Sequence, residues 1–246
     1  MILKDRAIAL RLHPFGNTSR IVVWLSAAHG KLATLAKGSQ RPGSALLGQF
    51  DLFYTCEILF YAKEQRNLHV LKECYPLEPR PAFRRDWRAC AAASYAAGLL
   101  DRAMPLGPAP AGLHGLLEET LDRLAVHSPG PAFLPRFELR LLRELGLAPA
   151  WDACTQCRAD LRTGAAARLD AAHGALRCAA CAAGRGMAVS APALAAIRQM
   201  LGPDLPASLP ERVFREVRAA AGGLLEHQAE FPPASRDIAF QLFAAE

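Results

Sequence analysis

Apolar and polar positions alternate along the first third of the chain, and then the period changes. Ile8, Leu10 and Leu12 alternate with Ala9 and Arg11, and Ile21, Val23 and Leu25 alternate with Arg20, Val22 and Trp24. Residues 32–37, 53–61 and 68–74 form three further extended runs, the second of them rich in aromatic and branched side chains. Turn-forming stretches separate the runs: Pro14-Phe15-Gly16-Asn17, His29-Gly30 and the long segment 38–48. A period of two between such stretches reads as β-strand. Five short strands in about 75 residues suit a small closed barrel of the OB or SH3-like kind. Closure also removes the bare edges of an open five-stranded sheet.

From residue 80 the pattern turns helical. Helices are expected over 83–104, stopped by Pro105, over 112–127, stopped by Ser128-Pro129-Gly130, and over 133–145, closed by Gly146. They resume over 192–201, where Ser190 before Pro192 makes a start signal, and over 211–230, with a short one after Ser235. Alanine follows the same divide, with 8 in residues 1–80 and 40 in residues 81–246. It is the best helix former and a poor strand former. The expected class is therefore α+β. A small five-stranded barrel of the OB or SH3-like kind is expected over residues 1–79 and an all-α domain over residues 80–246, with a cysteine-bearing insert at about 151–186.

Composition narrows the function. Of 246 residues, 52% are hydrophobic and 21% charged, a globular balance that argues against disorder. No apolar run reaches 18 residues, and the first residues interleave charge with apolar side chains, unlike a signal peptide. Seven cysteines, an odd number without a leader, point to a reduced, cytoplasmic chain. The net charge of +6 is unevenly placed. Residues 1–80 hold 11 basic and 6 acidic residues, residues 81–246 hold 18 and 17, and residues 1–50 hold 7 and 1. The surplus belongs to the β end and implies an anionic partner there.

The sharpest motif is Cys154-x2-Cys157, then twenty residues, then Cys178-x2-Cys181. Two intervening residues let a knuckle turn point both sulfurs at one ion, and two knuckles make the tetrahedron that Zn²⁺ prefers. Four protein ligands leave no open position, so such a zinc is structural. Two unrelated pairs or a redox dithiol are the alternatives, but a thioredoxin-type pair needs a βαβ setting that is missing here. His173, in the same stretch, reads as a loop histidine and not a fifth ligand.

In the β region Arg20 and Trp24 share a strand face, as do Lys31 and Lys37 if no bulge intervenes. The segment AKGSQRPGS (36–44) carries Lys37 and Arg41 on a Gly/Pro/Ser loop that reads as flexible, lacks acids and suits a phosphate backbone. Arg20, Trp24, Lys31, Lys37 and Arg41 are the candidate DNA contacts, and Phe15, Trp24, Phe50, Phe53 and Tyr54 the candidate stacking groups. The competing reading makes the aromatics core and the cations a solvated face. Catalysis finds no support. There is no Gly-rich phosphate loop, and Asp51, Glu57, Glu64 and Glu73 are dispersed, unlike the carboxylates of a two-metal nuclease.

Several segments together resemble the RecO family of bacterial recombination mediators, in its zinc-bearing form. They are Thr18-Ser19-Arg20 after the Pro-Phe-Gly turn, HGK (29–31), LAKG (35–38), RPGS (41–44), RFELRLLRELG (136–146) directly before the cysteine insert, and SRDIAFQLF (235–243). The resemblance implies an OB-fold followed by a helical domain, binding of single- and double-stranded DNA, and annealing of complementary strands. It also implies partnership with RecR, often RecF, in loading RecA onto strands coated by single-stranded DNA-binding protein (SSB), hence a place in the nucleoid. It further implies that the acidic, Phe-terminated SSB tail binds the helical domain, with Arg136 matching the family's RFE arginine. Arg136, Arg140 and Arg143 fall on one helix stripe beside apolar Phe137, Leu141 and Leu145, a suitable rim for such a tail. Arg84 and Arg88 are weaker candidates. The alternative is an RNA-binding or transcription adaptor built on an OB-fold and a zinc ribbon. The lack of aromatics in the zinc loop weighs against it.

Overall fold

The long first strand organises the N-terminal half. In the computed structural model, which describes residues 1–63, 68–127, 129–203, 208–230 and 233–244, β1 spans Ile2–Phe15. It is followed by β2 (Ser19–Ser26), β3 (Gly30–Ala36), β4 (Thr55–Tyr61) and β5 (Leu68–Glu78). The first half of β1 pairs antiparallel with β4, from Ile2↔Tyr61 to Ile8↔Thr55, and its second half with β2, out to Phe15↔Ser19. An irregularity between Ala9 and Arg11 bends the strand so that it can serve both neighbours. β3 meets β5 in parallel through Ala33, Thr34 and Leu35, and the ring closes in the order β1-β2-β3-β5-β4. This is the closed five-stranded barrel that the alternation pattern implies, with the strand order of an OB-fold.

The core of the barrel includes Ala7, Val22, Trp24, Phe50, Ile58 and Phe60. Trp24 is fully buried, edge-on to Phe50 at 6.2 Å, and its Nε1 donates to Thr34 Oγ1 at 2.8 Å. A buried indole needs such a partner for its N–H. Two scattered cysteines are also core. Cys56 and Cys74 both lie beside the Gln49 carbonyl, and hydrogen bonding to Cys56, with burial, keeps the Cys74 thiol protonated.

Chain contacts divide the molecule into two compact units, Met1–Ser128 and Pro129–Glu246. The strands end at Glu78, yet the first unit continues through α1 (Trp87–Ala103) and α2 (Gly112–Val126). Asp86 caps α1, accepting from the amides of Arg88 and Ala89, and Pro105 follows soon after the helix ends. Ionic struts join these helices to the barrel. Arg6 reaches Glu118 at 2.7 Å. Arg80 donates to Asp122 at 2.8 Å, to the Phe53 carbonyl at 2.7 Å and to Thr55 Oγ1 at 3.0 Å.

The second unit holds α3 (Phe133–Glu144), β6 (Ala167–Asp170), β7 (Ala175–Cys178), α4 (Ala179–Ala182), β8 (Met187–Val189), α5 (Ala191–Leu201), α6 (Glu211–Gln228) and α7 (Pro233–Ala244). α3 packs on α5 and α6, and α7 on α6. The short strands form a sheet in the order β7-β6-β8. Gly186 is required beside it, because a Cβ there would lie 2.8 Å from the Leu169 carbonyl oxygen. Inside the helices, fully buried Glu138 accepts two hydrogen bonds from Arg236, at 2.8 and 2.7 Å. Arg236 also donates to the Arg218 carbonyl and lies over the Phe240 ring. Among the described residues, no helix is long and apolar enough to cross a membrane.

Candidate metal centre and nucleic-acid interface

Two backbone turns bring the four motif cysteines together. In the first, the Cys154 amide donates to the Ala159 carbonyl and the Arg158 amide to the Cys154 carbonyl, each at 2.9 Å, with Arg158 in the left-handed region. In the second, Cys178 ends β7 and Cys181 lies one turn into α4. Thr155 locks one turn to the other: its amide donates to the Leu176 carbonyl at 2.7 Å, and its Oγ1 accepts the Leu176 amide at 3.1 Å. The four Sγ atoms of Cys154, Cys157, Cys178 and Cys181 all lie within 4.8 Å of one another, with Cys157 and Cys178 at 3.7 Å. A tetrahedron with metal–sulfur bonds of about 2.3 Å has sulfur–sulfur edges of about 3.8 Å. A disulfide would need about 2.05 Å.

The electrostatics suit a cation. Burial opposes ionisation of Cys154, but amide donors from Cys157, Cys178 and Gln156 bring its thiol down to about 6. Cys181 is pushed up to about 12, chiefly by hydrogen bonding with Cys157 and Cys178. The first thiolate forms readily, while the last needs a positive charge among the sulfurs. The set can hold one metal ion with four protein ligands. His173 stands apart and pairs with Asp170 at 2.9 Å.

The barrel cations separate into two groups. Arg20 pairs across the ladder with Ala36, next to Lys37, and the 38–44 loop carries Arg41 to the same end. This loop is pinned, contrary to what its composition suggests. The Gly38 amide donates to Ser19 Oγ, the Gln40 amide to the Thr18 carbonyl and Arg41 Nε to Thr18 Oγ1, at 2.9, 2.8 and 3.3 Å. The Thr-Ser pair thus presents the loop, a role that the sequence reading did not assign to it. Among the described residues, no carboxylate pairs with Arg20, Lys37 or Arg41. Phe15, 48% exposed, stands at the same turn and is the one stacking candidate left open to solvent. Phe50 and Phe53 are buried, Tyr54 is half-buried and accepts from Arg84, and Glu64 lies outside the described residues.

Two proposed DNA contacts are corrected. Trp24 is core, with no face for a base. Lys31 is 9% exposed at the far end of β3, where its Nζ pairs with Asp101 at 2.7 Å and donates to the carbonyls of Asp101 and Met104. A buried carboxylate consumes the charge that the sequence offers to DNA. We expect Lys31→Met to lower stability by about 2–3 kcal/mol, below the usual cost of a broken buried pair because Arg11 still faces Asp101. A urea melt of the full chain checks this. An unchanged midpoint with weakened DNA binding would restore Lys31 as a contact.

Comparison with known proteins settles the family. Residues 1–80 match the model "Recombination protein O N terminal" and residues 84–237 match "Recombination protein O C terminal". The chain belongs to the RecO family of DNA repair proteins. A DNA repair protein RecO of Anaeromyxobacter sp. (strain K) is 32% identical over 231 residues, 92% of this chain and 91% of the relative. Those of Desulforudis audaxviator and Geobacter metallireducens are 33% and 31% identical over 72% of this chain, and over 70% and 72% of their own lengths.

The α3 arginines expected at the RecO tail site prove to be largely occupied. Arg136 is 5% exposed and donates to the carbonyls of Gly202 and Pro203 at 3.0 and 2.9 Å. Arg143 donates to the Leu201 carbonyl at 2.8 Å and is half exposed. Both guanidinium groups cap the carboxyl end of α5, where unpaired carbonyls and the helix dipole favour a cation. Arg140 lies between them, partly exposed. An incoming peptide therefore cannot meet Arg136 directly unless the end of α5 moves.

Proposed function

We propose that the chain binds single- and double-stranded DNA through the barrel end formed by Phe15, Arg20, Lys37 and Arg41. There it acts as a non-enzymatic mediator that anneals complementary strands. The carrying observation is an acid-free cation cluster on a pinned loop beside an exposed aromatic, on an OB barrel of a DNA repair family. Working in the cytoplasm on nucleoid DNA with RecR, and with RecF, the chain helps load RecA onto SSB-coated strands. Zn²⁺ is the metal, because four thiolates in a closed tetrahedral set select it and give it a structural role. The acidic SSB tail docks on the outer side of the α3–α5 junction near Arg140 and Arg143, with Arg136 positioning that junction from beneath.

Salt dependence tests the barrel assignment. Each phosphate contact on a single strand contributes a slope of about −0.7 in log K against log salt. Lys37→Ala/Arg41→Ala is expected to make the slope shallower by about 1.4 without changing the melting midpoint. An unchanged slope, measured by fluorescence anisotropy, would move the interface elsewhere.

A further inference from the structure

A pocket of about 330 Å³ opens on the barrel at the end of β3 opposite the cation cluster. Leu3, Leu32 and Phe60 give it an apolar floor, and His29, Lys63 and His69 line it. The imidazoles flank Phe60, with ring centres 5.9 Å away for His29 and 5.4 Å for His69. Their partners set their tautomers. His69 Nδ1 accepts the Lys63 amide at 3.1 Å, so the neutral ring carries its proton on Nε2. His29 Nδ1 faces Asp5 Oδ2 at 2.8 Å and donates to it, which leaves Nε2 free of that carboxylate. Asp5 is anchored in turn by the Ser26 hydroxyl and the Ala28 amide. Burial, then His29 and Lys63, holds the His69 titration below its ordinary value, so this ring is neutral at pH 7. Lys63 is exposed, and no carboxylate pairs with it among the described residues. Among the described residues, no carboxylate lines the pocket.

We propose that this pocket takes one nucleobase of a bound single strand, its polar edge between His29 and His69 and its phosphate beside Lys63. The assignment rests on the single-strand reading given above. A nucleobase has a flat apolar body, a donor–acceptor edge and an attached anion, which match the floor, the two ring nitrogens and the ammonium in turn. The volume lies at the small end of ligand sites, so it suits a single base and not a duplex. At about 3.3 Å per residue, β3 places the pocket and the cation cluster about 20 Å apart. That span lies within the footprint of about 4–16 nucleotides of an OB domain.

The test compares an ordinary oligonucleotide with an abasic strand of equal length, each titrated by anisotropy against the full chain. The wild type is expected to prefer the base-bearing strand. His69→Ala should reduce that preference about fivefold, the order of one lost hydrogen bond to the base edge, with abasic affinity unchanged. Ala62→Leu, which adds bulk to the pocket lining and replaces neither histidine, should do the same, and Lys63→Ala should weaken both strands alike. A preference that survives both pocket variants, or a loss equal on both strands, overturns the assignment. A wild-type chain that binds neither strand overturns the DNA reading itself, and the pocket with it.

Discussion

Replacing Cys178 with serine, or treating the chain with a strong chelator, is expected to melt the 151–186 segment while the barrel stays folded. The segment has little else to hold it. Its strands β6, β7 and β8 contain four, four and three residues, and isolated hairpins are marginal even when longer. Structural zinc contributes about 10–16 kcal/mol in small peptides, more than the roughly 6–12 kcal/mol from burying Trp151, Leu161, Leu169 and Leu176. The damage should spread, because the insert anchors its neighbours. Arg198 of α5 donates to the Trp151 carbonyl at 2.9 Å, and Gln228 of α6 donates to the carbonyls of Ala171 and Ala172. Elemental analysis should find one zinc per wild-type chain and none in Cys178→Ser. Circular dichroism should show the second unit melting earlier in the variant. A metal-free chain with an unchanged melt would refute the structural role.

Glu138→Gln is expected to destabilise the same unit by about 3–5 kcal/mol, the usual consequence of breaking a buried ion pair from one side. The fully buried carboxylate receives two Arg236 donors. An amide would turn an N–H toward a guanidinium that has only donors to offer, and the cation would remain buried without its counter-charge. Arg236 has no room to withdraw toward α6, because a Cβ on Gly222 would already lie 2.6 Å from its Nη1. The exposed pair Arg215–Glu211 is the control, and Glu211→Gln should leave the urea midpoint in place. Equal midpoints for the two variants would mean that the buried pair is not a keystone of the helices.

What the sequence shows and what it hides follow one physical rule. Strands β1 to β5 are legible because a period of two between turn residues is a local signal. The four metal ligands are legible because knuckle spacing is local too. Strands β6 to β8 are not, since three or four residues with several alanines carry no period. Charge is visible in a sequence, but its partner is not. Lys31 and Arg136 look like free cations until the fold brings up backbone carbonyls 70 and 67 residues away. The 38–44 loop looks flexible until Thr18 and Ser19, some twenty residues earlier, pin it. The histidine pocket draws on β1, β3, β4, β5 and the segments between them, so no stretch of sequence announces it.

The most direct measurement is the rate at which complementary single strands anneal without ATP, with the wild-type chain and with Arg20→Ala/Lys37→Ala/Arg41→Ala. The wild type should accelerate annealing at low salt, and the effect should fade as salt rises. The triple variant, folded and metal-loaded, should anneal strands little faster than they anneal alone. Wild-type protein that gives no acceleration at low salt, or a triple variant as fast as the wild type, would contradict a DNA-annealing surface at this end of the barrel.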